Sequence, residues 1–98
     1  MIEVRETPQF RRWLDRLPDR EAQHRIAVRI RRLRAGNLGD VKSAGAGVSE
    51  LRIHYGPGYR IYFMWRGSKL ILLLAGGDKK SQQRDILAAR ELASREVE

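Results

Sequence analysis

The feature that most restricts how this chain can fold is a pair of alternating runs on either side of Gly56-Pro57-Gly58. In the first run Leu51, Ile53 and Tyr55 share one face of a strand, and Glu50, Arg52 and His54 share the other. In the second, Tyr59, Ile61, Phe63 and Trp65 form the apolar set, leaving Arg60, Tyr62 and Met64 opposite. Strand side chains alternate strictly, so the two runs can share a sheet only if the turn aligns like sets. A three-residue turn of Gly56, Pro57 and Gly58 does so by pairing Tyr55 with Tyr59, whereas an even-numbered turn would set apolar residues against polar ones. The predicted register opposes His54 to Arg60 and Arg52 to Tyr62, at the ~4.5 to 5.5 Å of cross-strand neighbours. A polar cluster on one face is the consequence.

A two-residue turn at Gly67-Ser68 is predicted to lead into a third strand, Lys69 to Ala75, which pairs Trp65 with Leu70 and Phe63 with Leu72. Met64, Ile71 and Leu73 then fall together on the other side. Such an apolar patch needs a cover, either the C-terminal helix or a partner protein.

Ahead of the meander, Ile2 and Val4 alternate with Glu3 and Arg5 in a short half-buried strand over Met1 to Glu6. Thr7 is placed to cap a helix that begins at Pro8, where a missing N–H costs nothing. Phe10, Trp13, Leu14 and Leu17 supply its apolar stripe. Pro18 breaks this helix and Asp19 caps the next, in which Ala22, Ile26, Ile30 and Leu33 recur until Gly36, giving a helical hairpin. Gly36 to Gly47 has no periodicity and is predicted to be a loop. After Gly76-Gly77-Asp78 a last helix carries a ragged stripe of Ile86, Leu87, Ala89, Ala93 and Val97. The expected class is α+β: an N-terminal strand, a helical hairpin, a three-strand antiparallel meander and a C-terminal helix, with the helices packed on a twisted, mainly antiparallel sheet. At 98 residues there is room for one core, so a single domain over 1–98 is expected.

Charge narrows the partners. With 20 Lys and Arg against 12 Asp and Glu, the formal net charge is +8, which attracts polyanions. Nucleic acid comes first, although an acidic protein or an anionic membrane would satisfy the same electrostatics. Cysteine is absent, which excludes a disulfide framework, a thiolate metal site and a thiol nucleophile. His24 and His54 show no ligand spacing, so neither a metal nor another cofactor is expected. The aliphatic run Leu70 to Ala75 is far short of the ~20 residues of a membrane span, and Glu3 and Arg5 stand where a signal peptide would be apolar. No membrane partner and a cytoplasmic location are expected.

Several segments carry a family likeness: Glu50-Leu51-Arg52-Ile53, then Gly56-Pro57-Gly58-Tyr59-Arg60-Ile61-Tyr62-Phe63, then LLLAGGDKK over Leu72 to Lys80, and Asp85-Ile86. Together they resemble addiction-module killer proteins of the HigB-related, phage Gp49-like branch of the RelE/ParE superfamily. The likeness spans nearly the whole chain and implies the toxin of a type II toxin–antitoxin pair. It also implies a cognate antitoxin, of the helix-turn-helix, HigA-like kind, with Met64, Ile71 and Leu73 as a docking surface. Some relatives cleave ribosome-bound messenger RNA without a metal, by attack of the ribose 2′-hydroxyl on the adjacent phosphate. Others inhibit DNA gyrase without being enzymes, and a homologue that has lost activity would only bind its antitoxin.

For the RNA-cleaving relatives the likeness makes Arg60, in the Gly-Tyr-Arg segment, a catalytic arginine, matches Arg52 to a basic residue of the preceding strand, and matches Lys79 or Lys80 to a basic position after the last strand. Several relatives place a tyrosine or histidine in the C-terminal region, whereas here none follows Tyr62. The reaction needs a base for the 2′-hydroxyl, cationic donors for the phosphorane and an acid for the leaving 5′-oxygen. Arg52 and Arg60 suit bidentate phosphate binding. His54 is the best proton shuttle, because imidazole titrates closest to neutrality; Glu50 is an alternative base and Tyr62 a weaker donor, both expected beside the RNA. Against these roles, arginine or histidine on an exposed sheet face is ordinarily just solvated, and a lysine pair beside a turn is ordinarily surface. Arg25, Arg29, Arg32 and Arg34 on the second helix could steer RNA or ribosome binding, yet they are most simply its solvent face.

Overall fold

A computed structural model describes residues 1–96. The element order is β1 (Glu3–Glu6), α1 (Pro8–Arg16), α2 (Arg20–Arg34), β2 (Val41–Gly45), β3 (Val48–Ile53), β4 (Tyr59–Arg66), β5 (Leu70–Gly77) and α3 (Gln82–Glu96). The strands form one sheet in the order β1-β5-β4-β3-β2. β1 pairs parallel to β5, and the other pairs are antiparallel. The α+β class expected from the sequence is found, with a fifth strand added. No helix among the described residues is long and apolar enough to cross a membrane.

Helix starts follow local chemistry. The Thr7 hydroxyl accepts from the Phe10 N–H at 3.0 Å and donates to the Leu74 carbonyl at 2.6 Å, which caps α1 and ties it to β5. Asp19 accepts from the Glu21 and Ala22 N–H groups and starts α2. The Gln23 amide donates to the Leu14 and Leu17 carbonyls, joining the end of α1 to α2.

Helices cover both faces of the sheet. On one, Phe10, Ala22, Ile26 and Leu33 of α1 and α2 pack with Leu51, Ile53, Ile61, Phe63, Ile71 and Leu73. On the other, Ala89 and Ala93 of α3 pack with Val48, Tyr62, Met64, Leu72 and Leu74. Within the expected stripe of α3, Ile86 is partly buried against this second core, while Leu87 is 64% exposed. Val97 lies outside the described residues.

Three expectations are corrected. Within the predicted loop from Gly36 to Gly47, Val41–Gly45 forms β2, an edge strand whose Lys42 pairs with Glu50. A two-residue turn of Ala46 and Gly47 connects it to β3, both residues lying in the left-handed region at φ 54° and 79°, as such hairpins require. An edge strand needs little side-chain burial, and only Ala44 of β2 is buried, so no hydrophobic alternation announces it.

The β3–β4 connection is longer than the predicted three residues. Ile53 pairs with Tyr59, Arg52 with Arg60 and Glu50 with Tyr62, so residues 54–58 form the turn. Tyr55 leaves the ladder because its hydroxyl donates to Asp19 at 2.7 Å and its ring lies under the Arg25 guanidinium. The register moves by two, which preserves parity: Leu51, Ile61 and Phe63 still share the first core.

The β4–β5 turn contains three residues, since Arg66 pairs with Leu70, Trp65 with Ile71 and Phe63 with Leu73. This odd shift carries Ile71 and Leu73 to the face opposite Met64, into the main core. Both alternating sets of β5 are apolar, so its own sequence does not choose a face. The choice follows β1, where Val4 pairs with Ile71 and the polar Arg5 with Leu72. Trp65, expected in the core, stands 36% exposed near the end of β4.

Candidate phosphate-binding site

The α3 face of the sheet changes character along its strands. Beyond Val48 and Met64 come Glu50 and Tyr62, and then Arg52 opposite Arg60. Two like charges directly opposed destabilise a sheet unless counter-charges hold them. Each arginine has one here. The Arg52 Nη2 donates to Asp40 Oδ1 at 3.1 Å, and the Arg60 Nε lies 3.5 Å from Glu50 Oε2. The Arg60 Nη1 donates to the Gly58 carbonyl at 3.0 Å, and its side chain is only 12% exposed.

Beneath Arg60, Glu50 is 3% exposed. Its Oε2 accepts from the Tyr62 hydroxyl at 3.1 Å and the Gln82 amide at 2.9 Å. Burial first, and then the Glu50 carboxylate, push the Tyr62 phenol well above its ordinary value. Tyr62 and Glu50, expected beside the RNA, are instead buried, and neither lines the pocket above them.

Above this layer opens a pocket of about 250 Å³, lined by Arg52, His54, Arg60 and Lys79 together with Ile53, Gly58 and Tyr59. Both Arg52 Nε and Arg60 Nε are buried without a hydrogen bond, that of Arg60 turned toward Glu50 Oε2 at 3.5 Å. Lys79 is brought in by the turn after β5, where its backbone N–H meets the Pro57 carbonyl at 3.4 Å. Asp78 Oδ1 accepts from the N–H groups of Lys80 and Ser81 and holds that turn. Lys80 is exposed and does not line the pocket.

His54 reaches the pocket from the turn, not from the strand, so it faces Asp40 where Arg60 was expected. Its Nε2 lies 2.6 Å from Asp40 Oδ2, with the imidazole 77% exposed. The hydrogen bond from His54, followed by that from Arg52, lowers the Asp40 pKa below its ordinary value. No motif in the sequence marks Asp40 or Gln82, and Arg29, expected on a solvent face, turns inward instead. Arg29 donates to the Arg52 carbonyl at 2.8 Å and the Leu38 carbonyl at 3.1 Å. Its guanidinium occupies the space a Cβ would need at Gly39, which has φ +70°. An acid flanked by glycine and valine in so basic a chain was the one available signal for Asp40.

The antitoxin-docking residues are not assembled as expected. Ile71 and Leu73 are buried under α1 and α2, and Met64 is covered by α3, the first of the two covers anticipated.

An arginine pair flanked by lysine and imidazole suits a phosphate group. Residues 12–97 match the family model described as phage derived protein Gp49-like. The chain belongs to this family. Gp49-like proteins are a family of addiction-module, toxin-like proteins. A similar protein, from Haemophilus influenzae and described as uncharacterized, is 45% identical over 92 residues, which is 94% of this chain and 93% of that one. Within the Gp49-like match fall Arg52, His54, Arg60 and Lys79 of the pocket and both glycines of Gly76-Gly77.

Proposed function

We propose that this Gp49-like protein is the toxin of a type II pair in the HigB-related branch of the RelE/ParE superfamily, and that it cleaves messenger RNA on the ribosome. The observation that carries the reading is the pocket in which Arg52, Arg60, Lys79 and His54 converge. A phosphodiester seated there receives hydrogen bonds from both guanidiniums. With His54 Nε2 donating to Asp40, Nδ1 remains to take the proton of the ribose 2′-hydroxyl. The 2′-oxygen forms a bond to phosphorus, the bond from phosphorus to the 5′-oxygen breaks, the departing oxygen takes a proton from solvent water, and His54 returns its proton to solvent. The products are a 2′,3′-cyclic phosphate and a 5′-hydroxyl. Arg52, Arg60 and Lys79 offset the charge gathered on the phosphorane, and removing a single donor of this kind typically costs about 10²- to 10³-fold in rate. The partner in this reading is a helix-turn-helix antitoxin encoded beside the toxin.

The test is expression of Arg60→Ala. The variant should melt below the wild type, because Glu50 loses the cation above it, but still fold; it should no longer arrest growth, and codon-spaced cuts in cellular messages seen by primer extension should disappear. A folded Arg60→Ala protein that stays fully toxic would falsify the site. Double-strand DNA breaks and an SOS response, with no such cuts in the wild type, would replace the nuclease with a gyrase inhibitor.

A further inference from the structure

We infer that the groove between α2 and the end of β3 is a second phosphate subsite, which takes a neighbouring phosphodiester of the same single-stranded polynucleotide. The inference rests on the nuclease reading for the identity of the first subsite. The groove has a volume of about 410 Å³ and is lined by His24, Arg25, Arg29, Arg32 and His54, with Glu21, Val28 and Ile53. It shares Ile53 and His54 with the arginine pocket, so the two cavities meet across a single imidazole.

The charge in this groove is not neutralised from within. Glu21 is the one acid among its lining residues, and that carboxylate is held by Arg25 at 3.0 Å, while Asp40, outside the lining, pairs with His54 and Arg52. Neither His24 nor Arg32 has an ion-pair partner among the described residues. Burial, and then the charge of Arg32, lower the Arg29 pKa, as expected where like charges crowd together. The cations are also fixed in place. Arg25 rests 4.5 Å above the Tyr55 ring, whose hydroxyl is anchored to Asp19. Arg29, which lines the groove, is bonded to the backbone carbonyls of Arg52 and Leu38. Two adjoining anion sites call for a ligand with closely repeated charges. A polynucleotide backbone has them, and the lining offers only Val28 and Ile53 as apolar footing for a peptide.

The full-length protein is titrated with labelled 2′-O-methyl RNA, which lacks the attacking hydroxyl, as a hexamer and as a dimer with one phosphate. Arg25→Gln/Arg32→Gln should weaken hexamer binding, leave dimer binding unchanged and flatten the salt dependence by about 0.7 in log–log slope for each phosphate no longer neutralised. Arg60→Ala should weaken both ligands. If the double variant binds the hexamer as wild type does, with the same salt slope, the second subsite is wrong while the Arg60 result still judges the nuclease. Equal affinity of the wild type for a hexameric acidic peptide would also overturn it, by making the groove a protein-docking surface.

Discussion

The two faces of the sheet come from the same strands by the same alternation, yet they end differently. Toward α1 and α2, the face stays apolar from Phe63 through Ile61 and Leu51 to Ile53 and Tyr59. Toward α3 it passes from Val48 and Met64 through Glu50 and Tyr62 to Arg52 and Arg60. The covers explain the contrast. α1 and α2 bring large side chains such as Phe10, Ile26 and Leu33 to their face, whereas α3 buries only Ala89 and Ala93 and begins beside Glu50, through Gln82. One face is thus a closed core, and the other is a short core that opens onto a charged pocket with a buried carboxylate at the boundary.

The largest effect should come from removing that boundary. Glu50→Ala leaves the Tyr62 hydroxyl and the Arg60 guanidinium without their buried acceptor, and breaking such a pair costs about 3 kcal/mol or more. Urea denaturation should show this loss, with Glu50→Gln, which keeps an acceptor, less affected. A Glu50→Ala protein as stable as the wild type would mean that the two ends of the α3 face are independent.

Gly76 and Gly77 test the two covers side by side. Adjacent strand residues point to opposite faces, and a Cβ at Gly76 would fall inside the Trp13 ring of α1, while one at Gly77 would meet Asp85 and Ser81 of α3. The indole is confined against Phe10 and Tyr59, whereas Asp85 is a flexible side chain that can turn aside. Gly76→Ala should therefore destabilise by about 2–3 kcal/mol and Gly77→Ala by about 1 kcal/mol, within the range for overpacking. Only Gly77→Ala, by shifting the turn that presents Lys79, should also weaken binding of the uncleavable RNA hexamer. The reverse ranking in urea melts would show that the closed face yields more readily than the open one.

How much of this was legible in the sequence depended on whether a residue's neighbours were local. Thr7 and Asp19 announce their caps, because the groups they satisfy lie two or three residues away. The polar cluster was readable from parity, which survived a two-residue error in the hairpin because Leu51, Ile53, Tyr59 and Ile61 cannot face water together. The face of Ile71 and Leu73 was not readable: β5 is apolar on both sides, and its orientation is fixed by Val4 of a strand more than sixty residues earlier. Strand β2 leaves no pattern in the sequence for a related reason, since its stability comes from backbone pairing with β3 and not from its own side chains. With β2 unread, Asp40 had no visible partner, although it holds both Arg52 and His54.

The smallest predicted effect belongs to Asp40, and it sharpens the contrast between a buried and a solvent-facing carboxylate. Because the folded state holds Asp40 below its ordinary value of 3.8, its ionised form contributes stability that is fully present above that value and is lost as pH falls toward the lower folded one. Asp40→Asn removes this component, so its stability should fall less steeply than that of the wild type between about pH 5 and 3. Asp19 is likewise held low, chiefly by the Tyr55 hydroxyl, but it is present in both proteins and cancels in the difference. Thermal melts in a pH series make the comparison. Curves that stay parallel down to pH 3 would mean that the Asp40 contacts with His54 and Arg52 carry no net energy in solution, and that the imidazole reaches the pocket without being oriented by the carboxylate.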